Sequence, residues 1–140
     1  MVTRPRLVLS LLLVLLAGAA LTSACMWPLI NDVKTGQTPE YPKLQPQRFS
    51  AGADTVYAAA LEAAKAIGLE IIASDAEIGE IRGVATTRIL RFKDDVTITI
   101  SREGDATVVN IRSASRVGKG DFGPNARRIE KLQAEIASRL

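Results

Sequence analysis

The chain has no histidine and one cysteine among its 140 residues, and aromatic side chains make up only 4% of it. Without histidine, a Ser-His-Asp or Cys-His arrangement and an imidazole-bound metal are excluded. The lone cysteine, Cys25, cannot form an internal disulfide. It also ends a leader-like segment, which removes it from catalysis. Carboxylate, lysine or serine chemistry is left, and no acid–base constellation can be assembled from those residues. The expectation is a non-enzyme with no catalytic residue, no metal site and no cofactor.

The leader-like segment is the first positive feature. Arg4 and Arg6 precede an uncharged apolar run from Leu7 to Ala20, followed by Leu21-Thr22-Ser23-Ala24-Cys25. Residues 1–24 read as a secretory signal peptide. Its end resembles a bacterial lipobox, in which the cysteine is acylated and becomes the mature N-terminus. Here Thr22 stands three residues before Cys25, and the usual leucine is one place further back. Two other readings stay open: ordinary cleavage after Ala24, and an uncleaved anchor of the roughly 18 residues that begin to span a bilayer. Each puts the domain outside the cytoplasm. Acylation at Cys25 would hold it to a membrane of the cell envelope, facing the periplasm, with more than one acyl chain needed for firm attachment.

Removing residues 1–24 takes two basic residues and no acidic one, so 16 basic against 15 acidic residues leave a charge of +1. The basic balance of the whole chain is partly a property of the leader, and no nucleic-acid partner is expected.

From Cys25 to Pro46 the composition shifts, with Pro28, Pro39, Pro42 and Pro46 spread through polar residues. Residues 25–46 read as a proline-rich tether, which at about 3.1 Å per residue would reach roughly 60 Å. The alternative is an arm packed on the domain through Tyr41 and Leu44. The folded domain is expected over residues 47–140. Arg48-Phe49-Ser50 opens it as a short strand, and Asp54 is placed to cap a helix carrying Val56, Ala60, Ala63 and Ile67 at helical spacing. Gly68 ends that helix. Strands follow at Leu69–Ala73 and Ile81–Leu90.

The clearest local feature is a hairpin. Val96, Ile98 and Ile100 alternate with polar residues, Thr107 to Val117 alternates in turn, and Gly104-Asp105 fits a two-residue turn with glycine first. That register sets Ile100 opposite Val109 and Ile98 opposite Ile111 on one face, with Thr97 opposite Arg112 on the other. Gly118-Lys119-Gly120 breaks the strand. Asp121 or Gly123 caps a last helix whose apolar stripe is Ile129, Leu132, Ile136 and Leu140, with Arg127, Arg128, Glu130, Lys131 and Glu135 mostly on its solvated face. The fold class expected is α+β: an antiparallel sheet of about four to five strands with two helices packed on one face.

Three polar groupings are candidates for function. Asp95 sits beside Arg112 and Arg116, and with Arg88 and Thr97 these form either a surface ion-pair cluster or a partner-binding surface. Asp94 falls on the core face beside Ser113 and Ser115, as a closed polar network or the mouth of a polar pocket. The glycine-rich turn from Arg116 to Gly123 reads as a capped strand-to-helix connection or an anion site. It lacks the phosphate-loop spacing.

Thr86-Thr87-Arg88, Arg91-Phe92-Lys93-Asp94-Asp95-Val96 and Arg112-Ser113-Ala114-Ser115-Arg116-Val117-Gly118, with Asp121, Gly123, Asn125, Ala126 and Ile129, resemble the family catalogued as domain of unknown function 1499. The resemblance covers Gln47 to Leu140 and is closest to bacterial envelope members. It implies no activity, and marks these polar residues as the distinctive feature of the module. The resulting expectation is a non-enzymatic envelope lipoprotein, an interaction or assembly module that engages an envelope protein or lipid. The alternative is a carrier or sensor holding a lipid or other small ligand between sheet and helices. An open apolar cavity against a filled core discriminates them.

Overall fold

A computed structural model describes residues 30–120 and 123–140. The expected signal peptide, Cys25, the first part of the expected tether and Asp121 lie outside the described residues. The hairpin is the centre of the fold. Strands β5 (Lys93–Glu103) and β6 (Ala106–Ser115) pair antiparallel, with Ile100 opposite Val109, Ile98 opposite Ile111 and Thr97 opposite Arg112. The register is the expected one. Gly104 makes the turn possible at φ 61°, a conformation that glycine reaches without the Cβ penalty.

Around this hairpin stand strands β1 (Asp32–Lys34), β2 (Gln47–Phe49), β3 (Glu70–Asp75) and β4 (Glu80–Thr86), with helices α1 (Ala53–Ala66) and α2 (Pro124–Ala137). The sheet has six strands in the order β1-β6-β5-β4-β3, with β2 also paired to β6, and every pairing is antiparallel. The class is α+β, with one strand more than expected. Strands β1 and β2 cover successive stretches of the same edge of β6, so its backbone groups are paired along most of their length.

The extra strand comes from the segment expected as a tether. Val33 is fully buried and Leu44 nearly so, Tyr41 packs against the core, and β1 pairs with Arg112 to Ala114. Residues 30–46 are the packed arm. The proline-rich composition forbids long regular structure but not a three-residue strand, and one inward valine with an unpaired sheet edge suffices to hold it.

Helix α1 lies close on the sheet because its inner face is mostly alanine: Ala59, Ala60, Ala63 and Ala64 are buried with Val56. Its N-cap is Gly52, and Asp54 lies in the first turn without a side-chain cap hydrogen bond. There the carboxylate complements the helix dipole instead. At the other end Gly68 N–H donates to Lys65 O and Leu69 N–H to Ala64 O, with Gly68 at φ 87°. This is the left-handed glycine stop that the sequence implied. Helix α2 starts at Gly123 with Pro124 in its first turn, and buries Ile129, Leu132 and Ile136; Leu140 is beyond its end and exposed.

Both helices bury these stripes in one cluster with Ile81, Val96, Ile98, Val109 and Ile111 from the sheet. The alanines serve close approach. Among the described residues no helix is long and apolar enough to cross a membrane.

Strand β4 is shorter than expected. It ends at Thr86, opposite Lys93, and the chain must reverse between them. Thr87 N–H donates to Phe92 O, and Phe92 N–H donates to Thr87 Oγ1, at 2.8 and 2.9 Å. Arg91 takes φ 56°, unusual for a residue with a side chain. The loop is thus clasped at its base, with Arg88, Ile89, Leu90 and Arg91 outside.

Candidate functional site

Consecutive strand residues face opposite ways, so Asp94 and Asp95 belong to different sites and form no dyad. On the helix-free face, Asp95 accepts a two-pronged hydrogen bond from Arg116, whose Nη2 and Nε lie 2.6 and 3.0 Å from Oδ1. Arg112 makes the same kind of bond to Asp32, with Nη2 2.6 Å from Oδ2 and Nε 2.9 Å from Oδ1. The hydrogen bond from Arg116 holds the Asp95 carboxyl below the ordinary aspartate range, against the smaller opposing effect of partial burial. Asp32 in turn raises the Arg112 guanidinium above its usual value.

Of the five residues expected as a binding surface, Asp95, Thr97, Arg112 and Arg116 share this face. Both arginines are closed on carboxylates of the same chain. Arg88 is elsewhere, in the loop after β4, facing the start of α2.

Asp94 is almost completely buried on the core face, paired with Ser115 across the hairpin. Its Oδ2 accepts from Arg128 Nη2 at 2.7 Å. Arg128 Nη1 donates to Ser113 Oγ and Asn125 Oδ1 at 2.7 and 2.8 Å, and Ser113 Oγ donates to Asn125 Oδ1 at 2.6 Å. Asn125 Nδ2 donates to Ser115 Oγ and to the backbone oxygen of Asn31. The expected trio of Asp94, Ser113 and Ser115 is therefore one network with two residues of α2.

Arg128, assigned to the solvated face, is instead turned inward. Its signal was present in the spacing: it lies three residues after Asn125 and four before Leu132, on the buried side of the helix. A carboxylate on the core face needs a cation, and Arg128 is the one the helix delivers.

Next to this network is a groove of about 710 Å³ between the β4–β5 loop, the end of β6 and the start of α2. Asp94, Ser115 and Arg128 line its polar side, and Ile89, Leu90, Phe92 and Val117 its apolar side. Ile89 is 89% exposed, Leu90 67% and Val117 62%. Large apolar side chains gathered at one exposed place signal a contact surface. A second hollow, of about 500 Å³, adjoins it and shares Thr86, Arg88, Pro124 and Arg128, with Arg127 and Lys131 added. The two together make an apolar channel that opens beside a cationic one.

The glycine-rich turn contributes Val117, Gly118 and Gly120 to the groove wall. Its anion-site reading includes Asp121 and Phe122, which lie outside the described residues. Among the described residues no cluster of acidic or cysteine side chains could hold a metal ion.

The family model described as "Protein of unknown function (DUF1499)" matches residues 24–136. The chain belongs to the DUF1499 family. The match begins before β1 and so includes the N-terminal arm. No curated protein matches the chain. Among solved structures, TTHA0849 from Thermus thermophilus overlays with a TM-score of 0.40 at 16% identity, over 77% of this chain and 95% of that one. CalU16 from Micromonospora echinospora overlays with a TM-score of 0.30 at 17% identity, over 67% of this chain and 85% of that one. Both overlaps are too loose to carry an argument about this DUF1499 protein.

Proposed function

We propose that this DUF1499 protein is a non-enzymatic lipoprotein of the cell envelope, tethered through acylated Cys25, whose domain binds an amphipathic anionic molecule of lipid type. The observation that carries the reading is the paired groove: an apolar stretch walled by Ile89, Leu90, Phe92 and Val117 that adjoins a hollow edged by Arg88 and Lys131, neither of which has a carboxylate partner among the described residues. Apolar area binds a hydrocarbon chain, and the two adjacent cations bind a phosphate or carboxylate head. The Arg112 and Arg116 face supports a binding role less well, because both guanidinium groups have intramolecular carboxylates at hydrogen-bond distance. The tether rests on the leader sequence and its terminal cysteine.

Native mass spectrometry of the full chain, released gently from detergent, tests the binding. A noncovalent mass of lipid size that is lost on denaturation is expected, and Val117→Asp should abolish it while leaving the circular dichroism unchanged. A chain that carries no such mass after incubation with envelope lipid extract would sink the proposal.

A further inference from the structure

We infer that the loop Arg88–Phe92 is a membrane-docking loop, which inserts Ile89 and Leu90 into a bilayer bearing anionic lipid and opens the groove toward it. The inference rests on the proposed tether for its geometry, and on three features of the fold for its chemistry.

The loop and the first residue of β5 read Arg-Ile-Leu-Arg-Phe-Lys, with apolar and basic residues interleaved. Loop tips are ordinarily polar, because water solvates them. This one is held shut at its base by the two hydrogen bonds between Thr87 and Phe92, so Ile89 and Leu90 are presented outward rather than free to fold back. Val117 and Phe92 extend the apolar surface behind them. Arg88 lines the groove with them, Arg91 and Lys93 flank the tip along the chain and Lys119 follows Val117 two residues on, and none of the four has a carboxylate partner among the described residues. The two nearest acids, Asp94 and Asp95, are occupied by Arg128 and Arg116. An apolar tip interleaved with and flanked by basic residues is the pattern that binds at an anionic lipid interface, where the apolar residues enter the acyl boundary and the cations meet headgroups.

The place where the chain enters the domain points the same way. Ser115 N–H donates to Asn31 O, and Asn31 Nδ2 donates to Gly118 O at 2.6 Å, so β1 begins at the end of the sheet that carries the loop and the groove. From Cys25 to Ile30 is five residues, at most about 18 Å of extended chain. An acylated Cys25 therefore keeps this end of the domain at the bilayer. The Gly104 turn is at the far end of β5, about 34 Å away. Short tether, apolar tip and its flanking basic residues all lie at one end.

The test uses the full chain in vesicles of phosphatidylcholine with phosphatidylglycerol, with acyl-chain-brominated lipid as quencher. The single native tryptophan is removed by Trp27→Phe, and a reporter is placed by Leu90→Trp or, at the far end, by Asp105→Trp. Quenching several-fold stronger at position 90 than at position 105 is expected. Adding Arg88→Glu and Arg91→Glu should bring it down to the level at position 105. Equal quenching at the two positions would overturn the docking, and quenching untouched by the charge reversals would overturn the role given to the basic residues. The intact mass of the same preparations reads Cys25 separately. An unacylated chain quenched at position 90 ends the tether and keeps the docking, whereas an acylated chain without that preference does the reverse.

Discussion

Asp94 and Asp95 are neighbours in β5, and each meets an arginine at nearly the same distance, 2.7 Å for Arg128 and 2.6 Å for Arg116. Their surroundings differ in kind. The side chains of Asp94 and Arg128 are 3% and 13% exposed, and those of Asp95 and Arg116 are 46% and 44% exposed. In the first pair water has been replaced by Ser113 and Asn125, so each charge depends on the others for its solvation. In the second, water still reaches both partners and screens them. Equal geometry on the two faces of one strand therefore carries unequal energetic weight. The buried pair ties α2 to the sheet and builds one wall of the groove, while the exposed pair decorates a face that would survive without it.

The largest expected effect comes from breaking the buried pair on one side. Arg128→Met leaves the Asp94 carboxylate without its cation, and a loss of about 3–5 kcal/mol is expected in urea unfolding. Adding Asp94→Asn to that variant should recover the larger part, because the uncompensated charge goes with it. If the double variant is no more stable than Arg128→Met, the cost lay in packing and not in charge. Next in size is Ser113→Ala, which removes one hydroxyl from the network and leaves Arg128 and Asn125 with a partner fewer, at a cost of about 1–3 kcal/mol.

On the other face, Arg112→Gln should cost only about 0–1 kcal/mol, and the loss should shrink in molar salt. A cost there as large as at Arg128 would erase the contrast between the faces.

The smallest effect is one of pH. Arg116 holds the Asp95 carboxyl below its ordinary range, so the stability this residue contributes is present above that range and is lost as pH falls through the depressed value. Asp95→Asn should therefore be slightly less stable than the parent at neutral pH, and the two should converge on acidification. A difference that grows in acid would have the wrong sign.

Much of the fold was legible because it depends on short-range pattern. The period-two alternation of Val96, Ile98 and Ile100 and the Gly104-Asp105 turn set the register of the hairpin, and register settles which face every residue of β5 and β6 takes. Asp94 beside Ser113 and Ser115, with Asp95 opposite Ala114 and near Arg116, followed directly. The two helix stripes and the Gly68 stop were likewise local, since 3.6-residue spacing and a left-handed glycine are visible in a window of a few residues.

What local pattern could not decide lay in the partners. Asp32 becomes the partner of Arg112 only because β1 closes the edge of β6, a contact between residues 80 positions apart. The helical spacing sets Arg128 beside Asn125 and Leu132, but only the sheet beneath supplies the Asp94 carboxylate that pairs with it. Arg88 joined the groove rather than the arginine face because β4 stops at Thr86. By itself the sequence determined the sheet class, the hairpin, the helices and the opposite facing of two aspartates, all consequences of periodicity. The tertiary structure alone decided which charges are solvated by protein and which by water, and where apolar side chains are left uncovered. Burial is a property of what packs on a residue, and that is set by distant parts of the chain.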